Sequence, residues 1–402
     1  MVAKLIKRSI FNQLELELSQ PEILILLGAR QVGKTTLLYK LEKICKQNNK
    51  KVIFFDLEQP EDLKKLSGDS ENIIKTISLD TDYIFIDEFY YLKNAGQIFK
   101  AIFDKAKRQN KKIKIIASGS SSIEIHTHIK ESLAGRMLKY SIFPLTFSEY
   151  KKIDKSKFSK YLKYGGLPGT VYNSNERIQQ QLNDYISSYI LKDVKSLVKE
   201  ENIRSFNNLI YHLASSQGQL VEYQSLAREV GLSGHTIKNY IDILEQTYVN
   251  FPLNSYHSNL SNELKKSKKQ YFYDLGVRNS ILKDFRNYDE RQDKGTILES
   301  FVFLQLKYNC PVNCEIRFWR NKDKKEVDFI LVKNRVPYPI EVKSNLKKPN
   351  IPSGLKSFLN LYKNTKTAYV VNLNIEDEIK YNNSNVKFIK FDSVERIYKE
   401  IS

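Results

Sequence analysis

The sequence predicts an α/β protein that begins with a parallel β-sheet covered by helices. Short apolar segments alternate with helical stretches over residues 1–150, an order typical of a parallel sheet. A loop with glycines at both ends follows the first apolar segment, and two carboxylates end the third. These three observations support the assignment. The expected strands are Ile23–Leu27, Lys51–Phe55, Tyr83–Asp87, Ile113–Ala117 and Leu138–Ile142.

The loop after the first strand has the spacing G-x-x-x-x-G-K-T. Backbone N–H groups in such a loop wrap a β-phosphate, and the glycines allow the turn and the close approach. Lys34 is expected to reach the β- and γ-phosphates, and Thr35 to offer its hydroxyl to Mg²⁺, while the positive end of the following helix favours the anion. The loop therefore predicts binding of ATP with Mg²⁺. The expected nucleotide-binding residues are Gly28, Ala29, Arg30, Gln31, Val32, Gly33, Lys34, Thr35 and Thr36.

The third strand ends in the Walker B pattern of Asp87 followed by Glu88. Asp87 is expected to hold Mg²⁺, directly or through water. Glu88 is expected to polarise the water that attacks the γ-phosphate. The second carboxylate is the reason to predict hydrolysis of ATP and not only its binding.

Two further positions are candidates for contact with the nucleotide. Ser118, with Ser120 as the alternate, follows the fourth strand, where ATPases of the AAA+ type carry a polar sensor residue. Arg136 precedes the fifth strand and is a candidate arginine finger, acting in its own subunit or on a neighbouring one. The alternatives are ordinary turn chemistry for the serines and a local ion pair for the arginine.

Composition restricts the partners and the setting. A chain of 402 residues is long enough for two or three domains, and its formal net charge of +19 favours a polyanion. Nucleic acid is favoured over a membrane because no segment has membrane-spanning length, although a lysine-rich composition alone would also explain the charge. With three cysteines, no disulfide framework and no recognisable signal peptide, a reducing, cytoplasmic location is expected.

The assembled pattern resembles the AAA-like P-loop ATPases of bacteria and archaea that carry a C-terminal DUF4143 domain. The resemblance covers nearly the whole chain. It rests on the phosphate loop, Asp87-Glu88, Ser118-Gly119-Ser120, Gly135-Arg136 with residues 144–147, residues 165–168, residues 273–276 and a C-terminal acidic set with one lysine. The expected domains are an AAA+-like P-loop ATPase domain at 1–150, a helical lid or connector at 151–204, a winged helix-turn-helix at 205–268 and a DUF4143 domain at 269–402.

The segment 220–250 predicts a helix-turn-helix. Its helices are expected at 223–230 and from Gly234 to about Tyr248, with Ser233 capping the second. Ile237, Ile241 and Leu244 recur at helical spacing and predict the buried face. Residues expected to face outward or to contact phosphates as a wing are His235, Lys238, Asn239, Asp242, Lys265, Lys266, Lys268 and Lys269. The alternative is a winged helix that only docks domains.

The last region predicts an α/β fold of the PD-(D/E)xK restriction-endonuclease-like type. Asp328 on one strand and Glu341 with Lys343 on the next are expected to share one edge of a sheet, because alternate strand residues face the same side. The two carboxylates are candidate Mg²⁺ ligands and Lys343 a candidate for activating water, with Glu299 adding a further carboxylate. The alternatives are an ion pair at solvent-exposed strand ends and a scaffold that binds without cutting. Trp319 and Arg320 are expected either to stack on bases or, for the tryptophan, to lie in the core.

Two functions remain open. In the first, ATP hydrolysis drives the winged helix and the nuclease-like domain on nucleic acid, with DNA favoured over RNA. In the second, the chain is a regulatory or docking ATPase whose C-terminal domain recognises a protein partner. A homo-oligomer is compatible with both.

Overall fold

The computed structural model describes residues 6–68, 73, 77, 80–120, 133–154, 158–194, 203–257 and 267–401. The chain divides into two compact units. The first holds residues 1–144 with 246–249, and the second holds residues 145–245 with 250–402. None of the described helices is long and apolar enough to cross a membrane.

The first unit contains one parallel five-stranded sheet in the order β2-β3-β4-β1-β5. The predicted parallel sheet is confirmed, and the strand limits differ from the expected ones by no more than two residues. The strands are β1 (Ile23–Leu27), β2 (Val52–Asp56), β3 (Tyr83–Asp87), β4 (Lys114–Gly119) and β5 (Met137–Ser141). The described helices are α1 (Phe11–Leu16), α2 (Lys34–Gln47), α3 (Pro60–Leu66) and α4 (Ala95–Arg108).

Helix α4 illustrates how the sequence covers this sheet. Its buried residues include Ile98, Phe99 and Ile102, which recur at helical spacing and join the core beneath the strands. Its last turn carries Lys105, Lys107 and Arg108, where positive charge is favoured by the helix dipole.

The second unit begins with helices and a small antiparallel sheet in the order β6-β8-β7. The helices expected between its strands are confirmed, and Ser233 Oγ caps the second by accepting the N–H of Thr236 at 3.0 Å. The boundary expected after residue 268 falls inside β8. The elements are α5 (Phe147–Lys151), α6 (Phe158–Tyr164), α7 (Asn175–Tyr185), α8 (Ile203–Ser215), β6 (Leu220–Val221), α9 (Tyr223–Val230), α10 (Gly234–Gln246), β7 (Asn250–Leu253) and β8 (Lys268–Phe272).

A six-stranded mixed sheet follows in the order β13-β14-β12-β11-β10-β9. Strands β9, β10 and β11 are antiparallel, whereas β11, β12 and β14 are parallel. The elements are α11 (Leu275–Ile281), α12 (Lys294–Tyr308), β9 (Cys314–Arg320), β10 (Glu326–Lys333), β11 (Val336–Lys343), α13 (Ser353–Leu361), β12 (Thr367–Asn372), β13 (Asp377–Tyr381), β14 (Ser384–Lys390) and α14 (Arg396–Glu400).

Asp274 joins two glycine-containing motifs inside the second unit. Its Oδ2 accepts the N–H of Gly166 at 2.7 Å, and its Oδ1 accepts the N–H of Val277 at 3.1 Å, which caps α11. Gly276 leaves room for this contact, since a Cβ there would lie 2.1 Å from the Tyr164 carbonyl oxygen. The turn at 165–168 belongs to the segment expected as a lid or connector; residues 165–167 are buried in this packing, and Pro168 is half-buried.

Candidate active site

The phosphate loop lies between β1 and α2 and has the backbone shape that its glycines predict. Gly33 has φ +95° and directly precedes α2, and among the described residues no side chain forms a capping hydrogen bond at this end of the helix. Gly28 packs against the exit of β5, because a Cβ there would lie 2.1 Å from the Ile142 carbonyl oxygen. Free N–H groups at a helix start attract phosphate. The loop thus offers a backbone anion site.

Lys34 is buried within this site and is held by the loop itself. Its side chain is 4% exposed, and its Nζ donates to the carbonyl oxygens of Gly28 at 3.1 Å and Ala29 at 3.0 Å. Its Nζ also lies 3.9 Å from Glu88 Oε1. Burial lowers the pKa of Lys34, while the charge of Glu88 opposes that shift. The ammonium group is therefore placed between the phosphate loop and the end of β3.

The structure also brings Asp87, the last residue of β3, and Glu88, the residue after it, to this edge. Ser118 of β4 and Ser120, which follows that strand, lie beside them. Asp87 is buried, and its Oδ1 accepts the hydroxyl of Ser118. Glu88 has φ +49° and its Oε2 accepts the backbone N–H of Ser120 at 3.1 Å. Burial raises the pKa of Glu88, and Lys34 counters part of that effect. The carboxylates, the lysine and the loop together can bind a nucleoside triphosphate and polarise a water. Thr35 is half-buried in the first turn of α2, and Thr36 is exposed.

Arg136 is not brought to this site within the subunit. It precedes β5, and its carbonyl oxygen accepts the N–H of Ile23, the first residue of β1, at 2.8 Å. The phosphate loop follows the opposite end of β1, and a five-residue strand spans roughly 16 Å. Arg136 Nε instead lies 3.4 Å from Asp104 Oδ1. The local ion pair is therefore the arrangement seen.

Two residues at the site were missed by the sequence reasoning. Arg8 is buried, and its guanidinium donates to the carbonyl oxygens of Val32 at 2.9 Å and Phe143 at 2.7 Å. The Tyr90 hydroxyl hydrogen-bonds to Arg30 and Ser120, and burial raises its pKa. Both contacts join residues far apart in the chain, and no local pattern announces them.

A second group of charged residues lies in the second unit. Its four carboxylates, called the acidic cluster, are those of Glu299, Glu326, Asp328 and Glu341. Asp328 lies where the pairing register between β9 and β10 shifts, and its Oδ2 accepts the N–H of Val342 at 2.7 Å. Glu341 Oε1 accepts a hydrogen bond from Lys343 Nζ at 2.6 Å. Burial, with Glu341 and then Glu299, raises the pKa of Asp328 well above its usual range. The structure therefore gathers Glu299, Asp328, Glu341 and Lys343 as the sequence pattern anticipated.

Lys269 corrects one expectation about this region. It was expected to face phosphates as part of a wing, but its side chain is 3% exposed and its Nζ lies 3.3 Å from Glu299 Oε1 and 2.6 Å from Glu326 Oε1. Although burial opposes it, the surrounding carboxylates raise the pKa of Lys269. The side chain is therefore a buried cation in the acidic cluster. Lys265 and Lys266 lie outside the described residues, and Lys268 is half-buried.

The remaining candidates for contact with nucleic acid divide between the surface and the core. His235, Lys238 and Asn239 are exposed on α10, Asp242 is half-buried, and Ile237, Ile241 and Leu244 are buried as predicted. Trp319 is buried and packs edge-on against Phe358 with ring centroids 5.4 Å apart, so it is a core residue and is not free to stack on bases. Arg320 lies 3.5 Å from Glu326.

A parallel sheet, a glycine loop before a helix, and a strand ending in two carboxylates define the first unit as a P-loop ATPase fold. Family comparison agrees: residues 20–151 match the family described as AAA domain. Residues 155–293 and 294–392 match two families described as domains of unknown function, DUF8612 and DUF4143.

Individual relatives add little about function. The chain is 28% identical to the uncharacterized protein MJ1544 of Methanocaldococcus jannaschii over 420 residues, which cover 98% of this chain and 89% of the relative. It resembles the Orc1 protein of Aeropyrum pernix, solved in complex with DNA, with 12% identity, 70% and 94% coverage and a TM-score of 0.31. It resembles AMPPCP-bound DnaA from Aquifex aeolicus with 17% identity, 60% and 89% coverage and a TM-score of 0.31. At these TM-scores the structural likenesses carry no argument about activity.

Proposed function

We propose that the chain is a Mg²⁺-dependent ATPase whose turnover responds to DNA bound by the second unit. The observation that supports hydrolysis is the distance of 3.9 Å between Lys34 Nζ and Glu88 Oε1, beside a helix start that no described side chain caps. These residues fit a triphosphate with its metal, since the loop backbone supplies donors, and Thr35 and Asp87 supply oxygen ligands.

In this proposal the chain's own groups prepare the reaction. Lys34 exchanges its bonds to the carbonyl oxygens of Gly28 and Ala29 for bonds to the β- and γ-phosphates. Mg²⁺, held by Thr35 and Asp87, would neutralise charge on the phosphate oxygens. Glu88, whose pKa burial raises, holds and orients the attacking water as a general base. Ser118 positions Asp87, and the Ser120 N–H positions Glu88. Arg136 is proposed to act only on the site of a neighbouring subunit.

The coupling to DNA rests on the exposed face of α10 and on the charge of the chain. His235, Lys238 and Asn239 are exposed on the second helix of a helix-turn-helix, the helix that enters the major groove in proteins of this type. The three-stranded sheet of β6, β7 and β8 beside these helices supports a winged-helix arrangement. The net charge of +19 favours association with a polyanion. A more specific form of this proposal is that the acidic cluster acts as a PD-(D/E)xK-like nuclease site and cleaves the bound strand.

A second candidate is a regulatory or docking ATPase whose second unit binds a protein partner. Burial of Lys269 favours it, because an ion-paired lysine is lost from the cationic wing that would contact phosphates.

Steady-state ATP hydrolysis with Mg²⁺, measured with and without single- and double-stranded DNA, tests these candidates. The proposal expects turnover that DNA stimulates several-fold. Lys238→Glu should abolish the stimulation, whereas Lys363→Glu, the same charge change at another exposed lysine, should retain it. Turnover that ignores DNA favours the docking ATPase, and a full-length protein without turnover refutes both.

A further inference from the structure

The acidic cluster divides into two pairs with different partners. Glu299 and Glu326 both lie against Lys269 Nζ, at 3.3 and 2.6 Å. Glu299 Oε1 also accepts the hydroxyl of Tyr271 at 2.6 Å. Lys269 and Tyr271 are two residues apart on β8 and therefore face the same side of the strand. One strand of the small sheet thus supplies both partners of Glu299.

The carboxylate oxygens of the other pair, Asp328 and Glu341, have less complete hydrogen bonding. Glu341 is 5% exposed, and its Oε2 has no hydrogen-bond partner within the part of the chain that the structure describes, while its Oε1 pairs with Lys343. A buried carboxylate oxygen without a partner is costly, and a bound cation would remove that cost. Asp328 and Glu341 occupy adjoining strands and interact electrostatically with each other. Two carboxylates of this kind fit one divalent cation completed by water.

The pair around Lys269 does not fit a second cation. Two-metal sites place their ions about 3.5–4 Å apart and require carboxylates to bridge or flank both. Among the described residues no group of three or more His, Cys, Asp and Glu side chains is placed to hold a metal. Glu299, the carboxylate that would serve a second ion, is committed to the ammonium of Lys269 and the hydroxyl of Tyr271.

We propose that Lys269 is the resident cation of the acidic cluster: it takes the place of a second metal beside Glu299, so that the cluster binds one divalent ion, at Asp328 and Glu341. The distribution of charge supports this reading. Lys269 and Arg320 face Glu299 and Glu326, whereas Lys343 pairs with Glu341, so among the described residues the remaining negative charge lies at Asp328 and Glu341. This inference concerns the second unit alone and stands whether or not the first unit hydrolyses ATP.

Mn²⁺ titration of the nucleotide-free full chain tests the proposal, with bound ion counted by calorimetry and by the loss of the free-ion paramagnetic resonance signal. Asp328→Asn should lose one equivalent relative to the unsubstituted chain. Glu299→Gln should lose none. The proposal would be overturned if Asp328→Asn bound as many Mn²⁺ ions as the unsubstituted chain, or if Glu299→Gln lost one equivalent. Lys269 is left unsubstituted in both variants.

The lysine is then tested with a matched neighbour on the same strand. Lys269→Met should gain one equivalent of Mn²⁺, or bind it at least tenfold more tightly, and Mn²⁺ should raise its melting temperature more than that of the unsubstituted chain. Lys268→Met removes the same charge from the half-buried neighbour and should behave as the unsubstituted chain does. The double change Lys269→Met with Glu299→Gln should lose the gain. Equal Mn²⁺ binding by folded Lys269→Met and by the unsubstituted chain would contradict the proposal.

Discussion

Ser120 donates its backbone N–H to Glu88 Oε2 at 3.1 Å, whereas its neighbour two positions back, Ser118, bonds to Asp87 through its side chain. The two serines at the end of β4 therefore hold Asp87 and Glu88 with different groups: Ser118 uses its hydroxyl, and Ser120 uses its backbone N–H. A substitution of the side chain removes one of these bonds and leaves the other.

The two serines are accordingly expected to differ on substitution. Ser118→Ala deletes the hydroxyl that orients Asp87 and should lower kcat about tenfold or more, since a misplaced metal ligand weakens positioning of the phosphates. Ser120→Ala keeps the N–H that Glu88 uses and should retain most of the activity. Steady-state ATP hydrolysis of both variants checks this. Equal losses would mean that Ser120 acts through its hydroxyl.

Glu88→Gln is expected to separate binding from hydrolysis. The amide keeps the size of the side chain and removes the general base, so turnover should fall by roughly 10²–10⁴-fold while ATP still binds. Binding of a fluorescent ATP analogue and steady-state turnover measure the two effects. Glu61→Gln, the same change at an exposed residue of α3, is the control and should leave both unchanged. Retained turnover in Glu88→Gln would remove the residue from the proposed mechanism.

Gly28→Ala is expected to disturb the phosphate loop. The new Cβ would lie 2.1 Å from the Ile142 carbonyl oxygen, and relief requires movement of backbone. Overpacking of this kind costs about 1–3 kcal/mol, and ATP affinity should fall with it. Gly295→Ala is the matched change in α12. Apart from the chain next to it, no described residue has an atom within 4 Å of a Cβ at this position, and helix propensity predicts a neutral or slightly stabilising effect. Thermal unfolding and ATP binding of the two variants should therefore diverge, and a Gly28→Ala protein equal to the parent would contradict the packing argument.

Asp274 is expected to make the second unit less stable as the pH rises from 4 to 7. Burial raises its pKa from 3.8 to about 6, although N–H groups of Gly166 and Val277 favour the ionised form. A carboxyl with a higher pKa when folded contributes stability that is complete below the unfolded pKa and is lost as the pH passes the folded one. About two pKa units correspond to roughly 3 kcal/mol.

Asp274→Asn removes the titrating group and keeps one acceptor oxygen. Hydrogen exchange is measured for the peptides that contain Gly166 and Val277 and corrected for intrinsic rates. Their protection should decrease with rising pH in the parent, and much less in the variant. Parallel pH profiles for the two proteins would show that this carboxyl does not titrate in that range.

The parts of the molecule that local sequence dictates were predictable. The phosphate loop, the β3 carboxylates and the cap of α10 by Ser233 each depend on residues a few positions apart, and the parallel sheet follows from alternating apolar segments. Lys269 was misassigned because its partners Glu299 and Glu326 lie 30 and 57 positions away in sequence, which no charge pattern reveals. Arg8 was missed for the same reason, since it joins Val32 to Phe143 through backbone oxygens that every residue possesses.

Helix α12 binds the regions on both sides of residue 294 into one folded body. Phe301 packs edge-on against Phe147 at a centroid distance of 5.6 Å, and Gln305 Oε1 accepts the N–H of Phe147 at 2.7 Å. Tyr271 stacks on Phe303 at 4.1 Å. Of these contacts, the one between Tyr271 and Phe303 joins the DUF8612 and DUF4143 segments, whereas Phe147 precedes both. A fragment that begins at residue 294 would therefore expose the ring face of Phe303 that Tyr271 covers in the intact chain.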